Sequence, residues 1–235
     1  MNINADFKQR VVVHSQQQPW VASPMAGVER RPLDRVGGEV ARATSIVRYA
    51  PGSHFSPHVH TGGEEFIVLE GVFQDEHGDF PAGSYIRNPP QSSHTPGSEK
   101  GCVIFVKLWQ FNPDDRQHIN VPARVDTALA SAEFTPPALG VTSKELYRDE
   151  FEVVSVYELA PNTALNLDAV KGLEMLVLDG EFCEGSDTLE THSWLRLPTD
   201  SELHGRTGSK GARLWVKTEH LPFVDDQIAR VKNAR

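Results

Sequence analysis

Apolar positions along this chain gather in short β-rich runs, and few stretches keep a helical period for more than a turn or two. In the first half the runs are 39–50 (EVARATSIVRYA), 64–73 (EEFIVLEGVF), 83–90 (GSYIRNPP) and 101–110 (GCVIFVKLWQ). Turn chemistry such as PGS, TGG, EHGD and SEKG bounds them, so the pattern predicts strands joined by tight turns, as in a sandwich or barrel. Helix signals are confined to the last dozen residues, VDDQIARVKNAR, where Asp225 is placed to cap a short terminal helix.

The pattern then repeats. SIVRYAPG (45–52) matches SVYELAPN (155–162) at an offset of 110, and EEFIVLEGVF (64–73) matches LEMLVLDGEF (173–182) at 109. YIRNPP (85–90) matches WLRLPT (194–199), and GCVIFVKL (101–108) matches GARLWVKT (211–218). Four blocks in the same order indicate a duplication. The reading is therefore an all-β chain of two domains, at 1–115 and 141–235, joined by a Pro- and Asp-rich connection at 116–140.

Composition narrows the function classes. A net charge of −9 with no Lys/Arg cluster argues against nucleic acid. No run of about 18 apolar residues offers a membrane span, and the N-terminal residues do not resemble a secretory signal, so a cytoplasmic protein is expected. Cys102 and Cys183 form no CxxC pair and read as free buried thiols. The ten histidines raise the question of clustering.

Within PGSHFSPHVHTGGEEFIVLEG (51–71), His58 and His60 stand two apart, which on a strand puts both imidazoles on one face. The turn Thr61-Gly62-Gly63 folds the next strand back, so its first residue lies beside the pair. Glu64 and Glu65 face opposite sides, and only one can join the histidines; Glu64 is the one that fits the family motif this segment resembles. His94 follows the next strand. Three imidazoles and a carboxylate suit one divalent ion, Zn, Fe(II), Ni or Mn, with one or two coordination positions left open.

These residues resemble the cupin superfamily. Its first motif, G-x5-H-x-H-x3-E-x6-G, is met by Gly52, His58, His60, Glu64 and Gly71. Its second is met by Gly83, Pro89 and His94, and departs at Gln91, where glycine is usual, and at Ser98, where asparagine is usual. Over residues 20–110 the wording is closer still to the cupin domain of ChrR, the zinc-dependent anti-sigma factors. The resemblance implies two tandem jelly-roll barrels, a bicupin, with the metal in the mouth of the first. In the second half Asp168, Val170 and Leu173 replace His58, His60 and Glu64, while Glu174 and His204 remain nearby. A structural role is expected there.

Other residues read more simply. Lys107 recurs as Lys217, and both are expected to be solvated strand lysines. Tyr85, Arg87, Trp109 and Gln110 are candidate pocket walls, with parity left open. His54 is set aside because Pro57 interrupts its strand, and His77 and His118 are expected on the surface.

Two functions follow from the resemblance. One is a metal-dependent dioxygenase acting on small enolisable or diketone substrates. The other is a sensor of reactive oxygen or a small ligand, without turnover. About 20 residues precede the cupin, with His14 and no cysteine, so the helical sigma-binding domain of ChrR is not expected. The expected partner is a small molecule, with a homodimer left open and no sigma factor, nucleic acid or membrane.

Overall fold

A computed structural model describes residues 1–125 and 139–234. Residues 126–138 of the expected connection lie outside the described residues. The described chain is mostly antiparallel β and falls into two compact units. One takes Met1–Ala5, Gln18–Pro122 and the chain from Val224 onward; the other takes Asp6–Gln17 and the described residues between Ala123 and Phe223. Both units are discontinuous in sequence, where the repeat suggests two uninterrupted stretches.

In the first unit the main sheet runs in the order Asn2–Ile3, Val28–Gly37, Ala41–Tyr49, Cys102–Leu108, Glu64–Asp75, Ser84–Asn88, Ile119–Pro122. Side chains alternate across it. Phe66, Val68, Ile86, Ile104, Val106 and Val47 form one face and bury together with Phe55, Phe73 and Phe80. The other face is polar and also buried. Lys107 Nζ donates to Thr44 Oγ1 (3.1 Å), Tyr85 Oη donates to Glu65 (2.6 Å), and Arg87 reaches Asp115 (3.1 Å). Arg42 pairs with Asp34 (3.3 Å) and donates to Gln110 and to Gln227 of the terminal helix. Lys107 and Lys217 are therefore not solvated: both are almost fully buried, and Lys217 lies 2.5 Å from Glu152. A buried ammonium needs such partners, because isolation there would cost several kcal/mol.

The second unit is a sheet in the order Val141–Arg148, Val153–Leu159, Ser201–Thr218, Leu173–Glu184, Ser193–Leu197, Val11–His14. Its interior is filled by Leu165, Leu173, Met175, Phe182, Leu195 and Leu214, among others. Val11–His14 closes the order by pairing with Ser193–Leu197, which is why residues 6–17 belong to this unit. The helix Val224–Asn233 follows a 3-10 turn at Leu221–Phe223. Asp225 sits inside its first turn rather than capping it; there its charge still complements the helix dipole. No helix among the described residues is long and apolar enough to cross a membrane. Cys102 is buried as expected, whereas Cys183 is only half-buried, because strand alternation turns it away from the core face that its neighbour Phe182 fills; both are free.

The duplication is legible in the backbone. Strand Glu64–Asp75 shifts register opposite Val103/Ile104, and Leu173–Glu184 shifts between Val177 and Asp179. Two residues after each bulge stands a glycine with positive φ, Gly71 (72°) and Gly180 (82°). A Cβ would lie 2.1 Å from the Gly101 carbonyl oxygen in one unit and 2.2 Å from that of Gly211 in the other. Gly71→Ala and Gly180→Ala should each destabilise the protein by about 2 kcal/mol or more, from the left-handed backbone and the clash together. Denaturant unfolding of each variant measures this.

Candidate metal centre

Two backbone devices build the site. The two-residue strand His58–Val59 pairs with Ser93–His94 and sets His94 opposite His58. Beyond it, the His60 N–H donates to Ser92 O (2.8 Å), and Gln91 N–H donates to His60 O (2.9 Å), continuing the ribbon. The chain then reverses through Thr61, Gly62 and Gly63. A Cβ on Gly62 would lie 2.1 Å from the Trp109 ring, and one on Gly63 2.4 Å from Phe111. Only glycine lets those aromatic rings pack against the turn. Glu64 opens the next strand.

The result is convergence. His58, His60 and His94 bring ligand atoms within 4.8 Å of one another, with ring centroids 4.5–4.9 Å apart. Glu64 Oε2 lies 3.6 Å from His60 Nε2 and 3.5 Å from His94 Nε2. Glu65 points to the polar face instead. His60, His94 and Glu64 are buried, at 6%, 3% and 8% exposure, while His58 is exposed.

Hydrogen bonding orients each ring. His94 Nδ1 lies 3.2 Å from Asp75 Oδ2; a carboxylate only accepts, so Nδ1 carries the proton and Nε2 is free to bind an ion. His58 Nδ1 likewise donates to Ser56 O (3.3 Å). His60 Nε2 is buried without a hydrogen-bond partner. Burial holds the His60 imidazole down at about 4, against the attraction of Glu64, so its lone pair is available at neutral pH. Burial pushes His94 the same way, but the Asp75 hydrogen bond and Glu64 outweigh it and raise it. Two donors about 2.1 Å from a common ion stand about 3.0–3.4 Å apart at ninety-degree or tetrahedral angles. The carboxylate–imidazole separations fit that requirement after a small contraction. The residues present therefore fit one divalent ion.

The group opens into a cavity of about 360 Å³, walled on the sheet side by Ala43, Val47, Ile104, Val106 and Leu108. Of the candidate walls, Trp109 lines it; Tyr85, Arg87 and Gln110 lie on the opposite face of the sheet. His54, His77 and His118 are exposed. In the second unit Asp168, Glu174 and His204 are not brought together. Glu174 Oε1 meets His220 Nε2 at 2.9 Å, while His204 is exposed and bonds Asn166 and Glu202. Asp75, which orients His94, is not marked by any motif in the sequence. Asp75 sits in a stretch whose Asp and Gly residues read only as a turn.

His60→Ala should abolish stoichiometric metal retention, and Asp75→Asn should weaken affinity by about 10–100-fold through the loss of His94 orientation; elemental analysis and competition with a chelator check both. Gln91 has φ 74°, which accounts for the glycine usual at this position in the resembled motif. Gln91→Gly should leave stability unchanged or raise it by about 1 kcal/mol, and Gln91→Val should lower it, as read by thermal melting.

Comparison with known proteins bears on the fold and on residues 8–112. Residues 8–112 match the ChrR cupin-like domain family. No significant match exists among curated protein sequences. Solved structures with the same fold include a protein from Nostoc punctiforme provisionally assigned as a dioxygenase (16% identity, covering 91% of this chain and 84% of that one, TM-score 0.67). Another is the Escherichia coli pirin YhhW in complex with nickel(II) (12%, 90% and 100%, TM-score 0.62). A third is a variant of salicylate 1,2-dioxygenase from Pseudoaminobacter salicylatoxidans (10%, 79% and 73%, TM-score 0.54). The chain has a cupin fold, and its residues 8–112 match the ChrR cupin-like domain family.

Proposed function

We propose that the protein is a metal-dependent dioxygenase-like enzyme acting on small enolisable ketones or diketones. The observation that carries this is the meeting of three imidazoles and Glu64 around the unpartnered, buried Nε2 of His60, in a cavity large enough for a small organic molecule. His58, His60, His94 and Glu64 would hold the ion. A divalent metal there would supply Lewis acidity and a template for a chelating enolate in oxygenation chemistry.

The chain's own residues supply the rest. The Asp75 carboxylate fixes His94 and spreads the positive charge of the centre. Apolar walls from Val47, Ile104, Val106 and Leu108 exclude water from the reacting carbons. The exposed His58 stands at the open side, where substrate enters. Proteins assigned to dioxygenase chemistry and a nickel-bound protein use the same fold.

A second reading, a metal-bearing sensor without turnover, is favoured by the match to the ChrR cupin-like domain. Zinc, Fe(II), Ni and Mn all suit the donor set, so the retained metal is itself informative. Protein purified with its metal should hold about one ion per chain and consume O2 only when a β-diketone or hydroxyketone is present. Retained zinc with no substrate-dependent O2 uptake would replace the enzyme reading with the sensor.

A further inference from the structure

Strand Val28–Gly37 forms the far wall of the same cavity. Its register sets Arg30 opposite Val47 and Arg35 opposite Ala43. Both rows continue across the sheet, Val47 to Ile104 to Val68, and Ala43 to Leu108 to Glu64. Arg35 thus ends the row that Glu64 begins, three strands or about 14 Å of sheet away. A register shift between Pro32 and Asp34 lets both arginines face inward, since strict alternation would turn one of them out.

Both guanidinium groups line the cavity, but they are held differently. Arg35 donates to the Gly38 and Glu39 carbonyl oxygens of its own hairpin. The Arg30 side chain is half-buried and makes no hydrogen bond or ion pair with any described residue. Burial and, after it, the positive charge of Arg30 both lower Arg35. Apart from Glu64, the only acidic residue among the described lining is Glu39, exposed in the hairpin turn. Tyr49, on the same face, is pushed up by burial and by Glu64, an effect Arg30 opposes.

A partly desolvated guanidinium without a carboxylate, among Val28, Val47 and Leu108, is suited to an incoming anion. We infer that the substrate is an organic anion, an enolisable ketone or diketone carrying a carboxylate, whose carboxylate is held by Arg30 while its keto–enol end meets the His58, His60, His94 and Glu64 group. This rests on the proposed function for the metal end only.

The test is calorimetric titration, without oxygen, of metal-loaded protein with 2,4-dioxopentanoate and with its methyl ester. The acid should bind at least tenfold more tightly than the ester. Arg30→Gln should erase that difference and Arg30→Lys should keep part of it, with metal content at the wild-type level in both. Equal binding of acid and ester, no binding of either, or an advantage that survives Arg30→Gln would overturn the inference. Oxygen consumption is followed separately: absence of uptake with the acid preference intact removes the oxygenase reading and leaves the anion site standing.

Discussion

The convergence of His58, His60, His94 and Glu64 depends on the ribbon formed by His58–Val59 and Ser93–His94 and on the glycine turn that follows it. Polar groups buried in an apolar cavity lose hydration, and nothing but each other, a proton or an ion can replace it. His60 Nε2 shows the consequence, being buried with no hydrogen-bond partner. The polypeptide holds this arrangement because it is tied on both sides. The ribbon fixes His58 against His94, and Trp109 and Phe111 clamp the turn at a distance only glycine allows. Asp75 then locks the His94 ring from behind.

The second unit shows what the same backbone does without that demand. It keeps the bulge and the left-handed glycine of the long strand, since these serve curvature and close backbone approach rather than chemistry. Leu173 stands where Glu64 does in the first unit, and the interior closes around leucines. Glu174, the neighbour of Leu173, faces the other side and pairs with His220. One fold thus carries both a metal-ready cavity and a packed core, and the inward parity of a few strand positions decides between them.

Much of this was legible in the sequence because it is local. The spacing of His58, His60 and Glu64 around a glycine turn encodes geometry directly, and the repeat marks equivalent strands in both halves. What was not legible depends on long-range pairing. Strand Val28–Gly37 is polar and carries Pro32, so it does not read as a strand; the proline is tolerated beside a register shift, and that shift also turns Arg35 inward. Val11–His14 finds its partner at Ser193–Leu197, far along the chain. Lys107 and Lys217 look like solvent-facing residues, yet a second, polar buried face takes them up. Asp75 reaches His94 only because its long strand extends beyond the first motif.

The geometry implies one metal ion held by the three imidazoles and Glu64. Anomalous X-ray diffraction at the absorption edge of the retained metal, from crystals of the full chain, tests it most directly. One peak per chain is expected, bonded to His58, His60 and His94 through Nε2 and to a Glu64 carboxylate oxygen, at about 2.0–2.2 Å. A peak elsewhere, or one from which Glu64 is absent and Glu65 present, would contradict it.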